Sequence, residues 1–255
     1  NFHYDGCGVC RHCRQGWTQM CAEGATVYGL TGHGAHAPYM RMPAETLVFL
    51  PDELSFVEGA AVSCGAGTAY NALRRMGVRG GSTLAVFGQG PVGLAATIFA
   101  SAMGARVFAV DIAPERLALA RSFGAEQTIN SASEETGPRL KELTHGEGVE
   151  FALDASGAPE ARAAAVRACR AWGTTCFVGE GKTVTLDVSQ DMLRKQLTII
   201  GSWTFNITGQ AECARFVADN RIPLERLFTH RFALEEAEEA YRLFDRQTIG
   251  KGVFV

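Results

Sequence analysis

The sequence predicts an α/β protein built on a doubly wound parallel sheet, and three observations support this prediction. Short apolar runs alternate with helical stretches over about residues 67–203. A glycine-rich turn joins the first clear strand to a helix, and an aspartate closes the next strand. The chain also has 29 glycines, which suits a fold with many tight turns between strands and helices.

Length and charge limit the class of protein. The 255 residues can bury a large core in one or two domains. The formal charge of -3 arises from scattered residues, without a Lys/Arg block, so we expect no nucleic-acid partner and no anionic membrane partner. Residues 80–105 carry no charge and could span a bilayer by length alone. Because "GQGP" divides this run into a strand and a helix, we expect no membrane span there. We also expect no secretory signal or transit peptide.

Four of the eight cysteines lie together in "CGVCRHCRQGWTQMC". Their spacing, Cys-x2-Cys-x2-Cys-x7-Cys, favours a closed tetrahedral structural zinc site that holds a loop and does no chemistry. Its ligands would be Cys7, Cys10, Cys13 and Cys21. An iron–sulfur cluster is the alternative, but the ferredoxin pattern continues with Cys-x3-Cys-Pro. Four thiols without metal are the second alternative. A chain of this length needs no disulfides, so we expect a reducing, cytoplasmic location.

The turn in "TLAVFGQGPVG" matches the pattern of a dinucleotide-binding loop between a strand and a helix. Its first glycine would make the tight turn, the second would let a pyrophosphate approach the backbone, and the third would let helix and strand pack closely. The helix N-terminus would receive the negative charge. The predicted cofactor-binding residues of this turn are Gly88, Gly90, Pro91, Val92 and Gly93.

An acidic residue ends the second strand, "ARVFAVD". Asp111 follows Gly93 by 18 residues, where its carboxylate could accept hydrogen bonds from both ribose hydroxyls. A carboxylate there repels a 2′-phosphate, so NAD is favoured over NADP. Arg116 could accommodate that phosphate, so NADP remains an alternative cofactor. Arg116 could equally well be a solvated helix residue with no role in binding.

The remaining elements continue the alternation. A helix should begin at Pro114 and close at Gly124. Strands are predicted over residues 149–154, 173–179 and 196–202, with a helix over residues 158–171. A later helix over residues 234–244 should bury the stripe Leu234, Ala237, Ala240, Tyr241 and Phe244, and a short strand over residues 251–255 follows.

The order of these parts resembles the zinc-dependent alcohol dehydrogenases of the medium-chain dehydrogenase/reductase family. Three features carry the resemblance: the cysteine spacing, the passage "SCGAGTAYNAL" before "FGQGPVG", and Asp111 followed by Arg116. It implies three regions: residues 1–66 as the C-terminal part of a GroES-like catalytic domain with its structural zinc lobe, residues 67–203 as an NAD-binding Rossmann domain, and residues 204–255 as a return to the catalytic domain.

The resemblance also implies roles for further residues. Cys64 in "SCGAGT" matches a ligand of the catalytic zinc, with a buried apolar thiol as the alternative. The matching cofactor contacts are Thr68 near the nicotinamide, the backbone of Val178 and Ser202 at its carboxamide, and Lys251 at the phosphates. The alternatives are core packing for Val178 and a solvated lysine for Lys251.

One departure concerns the catalytic zinc. The family's other ligands, a Cys and the His of a Gly-His-Glu motif, lie upstream of the structural lobe, in a region that this sequence does not contain. One sulfur cannot hold a catalytic zinc, so we expect about one zinc in these 255 residues and about two in a longer gene product. His33 and His36 share a face only on a helix, whereas "TGHGAH" reads as loop or strand. These two, with His145 and His230, are expected at the surface or lining a cleft.

The resemblance implies NAD-dependent oxidation of a small alcohol, or reduction of the carbonyl, by zinc-assisted hydride transfer. It also implies a homo-oligomer, dimer or tetramer, joined at the strand "LTIIGS". Two alternatives remain. One is a non-catalytic, zinc-stabilised NAD-binding module. The other is a zinc-independent quinone or enoyl reductase, against which the cysteine cluster and Asp111 argue.

Overall fold

A computed structural model of the chain describes residues 2–181, 183–246 and 249–255. The strands of this part of the chain are β1 (Tyr4–Asp5), β2 (Thr26–Val27), β3 (Thr83–Phe87), β4 (Arg106–Asp111), β5 (Gln127–Asn130), β6 (Val149–Asp154), β7 (Cys169–Phe177), β8 (Thr198–Gly201), β9 (Phe228–Phe232) and β10 (Lys251–Phe254). Its α-helices are α1 (Arg11–Arg14), α2 (Phe56–Ala61), α3 (Gly67–Met76), α4 (Pro91–Ala102), α5 (Pro114–Ser122), α6 (Thr136–Leu143), α7 (Pro159–Ala168), α8 (Ile207–Asp219) and α9 (Ala237–Asp245). None of these helices has both the length and the apolar character needed to cross a bilayer.

The chain divides into two compact units. Unit 1 comprises Asn1–Gly67 with Thr204–Val255, and unit 2 comprises Thr68–Trp203. Unit 1 therefore contains both ends of the chain, and unit 2 is a single continuous segment.

Unit 2 is built on a six-stranded parallel sheet in the order β5-β4-β3-β6-β7-β8. The chain builds outward from β3 through β5, returns to the other side of β3 at β6, and builds outward again. This is the strand order of the Rossmann fold, and it confirms the predicted doubly wound sheet. In such sheets ligands bind at the carboxyl ends of the strands, where the order reverses; here the reversal lies between β3 and β6.

The core of this sheet explains why its strands read as continuous apolar runs. Phe87 of β3, Phe108 of β4 and Ile129 of β5 are almost completely buried and belong to one cluster with Leu140 of α6. Parallel strands are covered on both faces, so an alternating apolar and polar pattern is not expected. β3 begins and ends where the sequence predicted, and β4 covers the predicted run up to Asp111 but begins one residue later, at Arg106.

The helix before β7 is shorter than predicted. The sequence predicted helix up to Ala171 and strand from Gly173, but α7 ends at Ala168 and β7 begins at Cys169. Cys169 has extended backbone angles, pairs with Val149 of β6 and is buried in the sheet core. Sheet pairing and burial therefore outweigh the helix propensity of this alanine-rich stretch.

Unit 1 has little sheet. β1 pairs antiparallel with β2, and β9 pairs parallel with β10. α2 begins with a capping box, in which Ser55 accepts from the Glu58 N–H at 3.2 Å and the Glu58 carboxylate accepts from the Ser55 N–H at 3.0 Å. α2 then continues into one π-helical turn, Val62–Ala66, before α3. We call residues 62–66 the π turn.

The predicted core stripe on α9 is partly wrong. Ala240 is buried, but Tyr241 is 60% exposed. The hydroxyl of Tyr241 shares a 2.6 Å hydrogen bond with Nδ1 of His36. A tyrosine keeps its polar end where it can find such a partner, so helical spacing alone misassigned it to the core.

Candidate functional site

The four clustered cysteines converge in unit 1. α1 carries Cys13, and a 3-10 turn over Thr18–Met20 leads to Cys21. The four sulfur atoms, of Cys7, Cys10, Cys13 and Cys21, all lie within 4.8 Å of one another. Zinc bonds of about 2.3 Å would place tetrahedral sulfur ligands about 3.8 Å apart. The donor set and its spacing therefore fit one zinc ion.

The lobe also supplies hydrogen bonds to the sulfur atoms. The N–H of Cys7 donates to the sulfur of Cys21, and the N–H of Cys10 to the sulfur of Cys7, both at 3.3 Å. Backbone N–H groups of Cys13 and Ala22 lower the pKa of Cys10 to about 6. Burial raises the pKa of Cys13 to about 12. Zinc binds thiolates, and burial disfavours the thiolate of the candidate ligand Cys13.

A glycine next to the first ligand is required by this packing. A Cβ atom at Gly6 would lie 2.6 Å from the sulfur of Cys13 and 3.0 Å from the Cβ of Cys21. Any side chain at position 6 would displace a metal ligand. Sequence patterns do not single out Gly6, because its constraint comes from Cys13 and Cys21, which follow it by several positions.

The glycine-rich turn lies at the carboxyl end of β3, in unit 2. Gly88 has a φ of +89°, and a Cβ at Gly93 would lie 1.8 Å from the Gly88 carbonyl oxygen. A Cβ at Gly90, in contrast, would meet no atom within 4 Å. Pro91 begins α4, and Gly90 at its N-cap provides no side-chain cap. The N–H groups of Val92 and Gly93 therefore lie in the first turn of α4, where backbone N–H groups have no acceptor within the helix. Open space beside Gly90 at this helix end fits a pyrophosphate.

Asp111 joins this turn to the end of β4. Its Oδ2 accepts from the N–H of Gln89 at 2.6 Å, and its Oδ1 accepts from the N–H of Ala113 at 2.9 Å. A carboxylate oxygen can accept two hydrogen bonds, so each oxygen retains capacity for a ribose hydroxyl. Nη1 of Arg116 lies 4.0 Å from Oδ2 of Asp111. The structure thus turns Arg116 toward the carboxylate itself.

Gln89 was not foreseen as a site residue. It is fully buried, and its amide nitrogen donates to the Val86 carbonyl at 3.0 Å while Thr97 donates to its amide oxygen at 3.0 Å. Gln89 therefore fastens the turn to both β3 and α4. Its position between two motif glycines gave no signal of this role.

A buried network at the end of β6 holds the next loop. Asp154 is fully buried and accepts from the hydroxyl of Ser156 at 2.7 Å and from Nε of Arg162 at 3.4 Å. Arg162 also donates to the Gly179 carbonyl at 2.6 Å. A Cβ at Gly157 would lie 2.0 Å from the Glu180 carbonyl oxygen. The loops after β6 and β7 are thus packed backbone against backbone, which the sequence did not reveal.

Backbone hydrogen bonds determine which groups Val178 and Ser202 can offer. The N–H of Val178 donates to the Asp154 carbonyl at 2.9 Å, and the N–H of Ser202 donates to the Phe177 carbonyl at 3.0 Å. Both N–H groups are therefore occupied, and the carbonyl oxygen is the backbone group that either residue can present to a carboxamide.

Thr68, the second residue of α3, is half-buried.

Cys64 lies in the π turn of unit 1 and is exposed. The alternative reading of Cys64 as a buried thiol is wrong. π-helical turns recur at functional sites, and this turn gave no signal in the sequence. Within the described residues, the group of three or more potential metal ligands is the four-cysteine cluster, which does not include Cys64. A catalytic zinc therefore does not fit these residues alone.

The remaining residues with a predicted position are four histidines and Lys251. His33 and His36 are exposed and lie outside any described helix, as expected from their loop sequence. His145, in unit 2, is exposed, and His230 is half-buried and stacks on Phe232. Lys251 begins β10 opposite Phe228 and is half-buried.

The fold and these residues define a class: α/β dehydrogenases that carry a four-cysteine lobe. Residues 91–219 match the family model for the zinc-binding dehydrogenases. The chain is 40% identical over 255 residues to the uncharacterized zinc-type alcohol dehydrogenase-like protein YphC of Escherichia coli strain K12, a match that covers 99% of this chain and 72% of that protein. The chain therefore belongs to the zinc-binding dehydrogenase family.

Solved structures agree with this assignment. Alcohol dehydrogenase TADH from Thermus sp. ATN1 matches with a TM-score of 0.92 and 31% identity, covering 99% of this chain and 75% of that one. A structure described as an NAD-dependent alcohol dehydrogenase matches with a TM-score of 0.87 and 28% identity, covering 99% of this chain and 74% of that one. In each case the relative is longer than this chain.

Proposed function

We propose that this chain is the NAD-binding and zinc-lobe part of an alcohol dehydrogenase. One observation carries the proposal. The open space beside Gly90 lies at the start of α4, and the carboxylate of Asp111 is hydrogen-bonded to the neighbouring Gln89 N–H. Pyrophosphate and ribose would be recognised side by side at this edge of the sheet.

Each cofactor residue then has a task. The N–H groups of Val92 and Gly93 bind the pyrophosphate, and Asp111 accepts from the adenosine ribose. The carbonyls of Val178 and Ser202 orient the carboxamide, while Thr68 lies near the nicotinamide and Lys251 near the phosphates by analogy with the family. When bound, NAD supplies the hydride acceptor for oxidation of the alcohol carbon.

The cysteine cluster would hold a structural zinc. Four thiolates complete a tetrahedral shell, so no position is left for an alcohol. Cys64 is the one candidate catalytic ligand among the described residues, and its partner ligands would come from polypeptide outside these 255 residues. Alcohol oxidation is therefore proposed for a protein that contains this chain together with those ligands.

Cofactor titration tests the proposal. NADH and NADPH should be titrated separately into the zinc-loaded chain, with metal content measured in parallel. We expect NADH to bind more tightly and about one zinc per chain. Equal affinity for the two cofactors would remove the case for NAD. Two tightly bound zinc ions would contradict the ligand count. Visible absorption from iron would show that the four cysteines hold an iron–sulfur cluster and not zinc.

A non-catalytic NAD-binding module is the second candidate. Among the residues that the structure describes, Cys64 belongs to no cluster of three potential ligands, which favours the module for this chain alone. Incubation of the zinc-loaded chain with NAD and a panel of primary and secondary alcohols separates the two. NADH formation would show a complete active site in these residues, whereas binding without turnover supports the module.

The edge of the sheet supports a proposal for the oligomeric state. β8 is an edge strand of the six-stranded sheet and includes Ile199 and Ile200. An exposed edge strand pairs readily with an identical strand about a two-fold axis. We therefore propose a homo-oligomer, tested by light scattering after gel filtration. We also propose a cytoplasmic location, because a chain of this length can fold without disulfides and a four-cysteine metal site suits a reducing compartment.

A further inference from the structure

A buried glutamine connects the cysteine lobe, residues 6–21, to a distant part of unit 1. Gln19 is buried between the third and fourth cysteines, and its amide nitrogen donates to Thr204 Oγ1 at 2.9 Å and to the Phe205 carbonyl at 2.7 Å. Thr204 has a φ of +52°, a left-handed conformation that costs a threonine energy and persists where neighbours fix it. The bonds from Gln19 fix it here.

Two further contacts extend this attachment. The N–H of Ile207 donates to the Gly16 carbonyl at 3.1 Å, and the side-chain amide of Asn206 donates to the Gln15 carbonyl at 3.3 Å. A Cβ at Gly16 would lie 2.9 Å from Cγ2 of Ile207. Residues 204–207 therefore lie directly against the backbone of the cysteine lobe. We call residues 204–210 the linking segment.

The linking segment in turn contacts the π turn. The fully buried ring of Phe205 lies so close to Gly67 that a Cβ there would be 2.6 Å from Cε1 of the ring. On the first turns of α8, the buried Gln210 donates from its amide nitrogen to Oγ of Ser63 at 3.3 Å. Ser63 immediately precedes Cys64. The π turn is thus held at its beginning and just past its end.

We propose that the cysteine lobe, when it holds its metal, positions Cys64 through the linking segment, with Gln19 and Gln210 as positioning residues. The assignment of Cys64 as a metal ligand rests on the function proposed above, whereas the mechanical connection does not. In a protein that supplies the other ligands of a catalytic zinc, a metal site that does no chemistry would then contribute to catalysis by fixing the turn that carries Cys64.

Hydrogen–deuterium exchange on the zinc-loaded chain tests the connection. Gln19→Met keeps the length of the side chain and removes both donors. We expect amide exchange in residues 204–207 and in residues 62–67 to rise about tenfold, the effect of losing one or two hydrogen bonds. Gln15→Met is the matched control, because Gln15 is exposed and contributes its backbone carbonyl. It should exchange like the unmodified chain.

Gln210→Met tests the contact between the linking segment and the π turn separately from the contact between the cysteine lobe and the linking segment. It should raise exchange in residues 62–67 and leave residues 204–207 unchanged. If Gln19→Met loosens residues 204–207 without affecting residues 62–67, or loosens neither, the proposal is wrong. Metal analysis of every variant must show the zinc content of the unmodified chain. NADH titration is measured separately. If the chain does not bind NADH, the proposed function is wrong. The exchange measurement would still show whether the cysteine lobe holds the π turn through the linking segment.

Discussion

The backbone N–H of Gln89 donates to Oδ2 of Asp111 at 2.6 Å, so the residue predicted to read the ribose also holds the glycine-rich turn. Asp111 consequently has two tasks that depend on the same carboxylate. A substitution that removes the carboxylate altogether would lose both backbone hydrogen bonds, to Gln89 and to Ala113, whereas asparagine keeps one acceptor oxygen and therefore one of the two bonds.

Asp111→Asn should weaken NADH binding at least about tenfold, because a charge-assisted hydrogen bond to the ribose becomes a neutral one and one of the two backbone N–H groups, of Gln89 or Ala113, loses its acceptor. The affinity for NADPH should change less, since the repulsion of its 2′-phosphate is also removed, and the preference for NADH should narrow. Fluorescence titration with each cofactor measures both affinities.

The control for this change is Glu115→Gln, which removes the same charge from an exposed residue of α5. Its cofactor affinities should equal those of the unmodified chain. An unchanged ratio of NADH to NADPH affinity in Asp111→Asn would show that Asp111 does not choose the cofactor.

Gly6→Ala should weaken zinc binding. The new methyl group would lie 2.6 Å from the sulfur of Cys13 and would push this ligand out of the cluster. Competition with a chromogenic chelator should show zinc released at a chelator concentration at least about tenfold lower than in the unmodified chain. Gly137→Ala is the control, because a Cβ at Gly137 meets no atom within 4 Å. Equal zinc retention in both variants would show that the lobe tolerates the displacement.

Local sequence patterns predicted those features that neighbouring residues determine. The strand "TLAVF", the turn from Gly88 to Gly93 and the helix from Pro114 depend on residues close in sequence, and the structure has each of them. The end of α7 could not be predicted in this way, because the pairing of Cys169 with Val149 joins residues 20 positions apart.

The same distinction applies to the candidate sites. The spacing of the four cysteines pointed to a metal cluster, and the structure brings their sulfur atoms together. Gln19 gave no such signal, because its partners Thr204 and Phe205 lie 185 and 186 residues away. The buried pair of Asp154 and Arg162 was missed for another reason: the acid ends a strand and the base lies in the next helix, so their spacing follows no helix or strand period.

Cys64 should be the most rapidly alkylated cysteine of the zinc-loaded chain. Burial raises the pKa of Cys169 to about 11 and that of Cys176 to about 12, and Cys213 is also buried with a raised pKa. The thiolate is the nucleophile, so these three are both shielded and protonated at pH 8. Brief treatment with iodoacetamide followed by peptide mass spectrometry gives the rate at each cysteine. Comparable labelling of Cys176 and Cys64 would contradict the burial of Cys176.

Gly90 and Gly93 should respond in opposite ways to the same substitution. A Cβ at Gly93 would lie 1.8 Å from the Gly88 carbonyl oxygen, so Gly93→Ala should destabilise unit 2 by about 3 kcal/mol and lower the melting temperature by roughly 10 °C. Gly90 has extended backbone angles that alanine adopts, and a Cβ there meets no atom within 4 Å. Gly90→Ala should therefore melt like the unmodified chain and yet bind NADH at least about tenfold more weakly, because the methyl group occupies the space of the pyrophosphate. Calorimetry and NADH titration on the two variants separate folding from binding. If Gly90→Ala binds NADH normally, the pyrophosphate does not approach this glycine, and the cofactor site must lie elsewhere on the sheet.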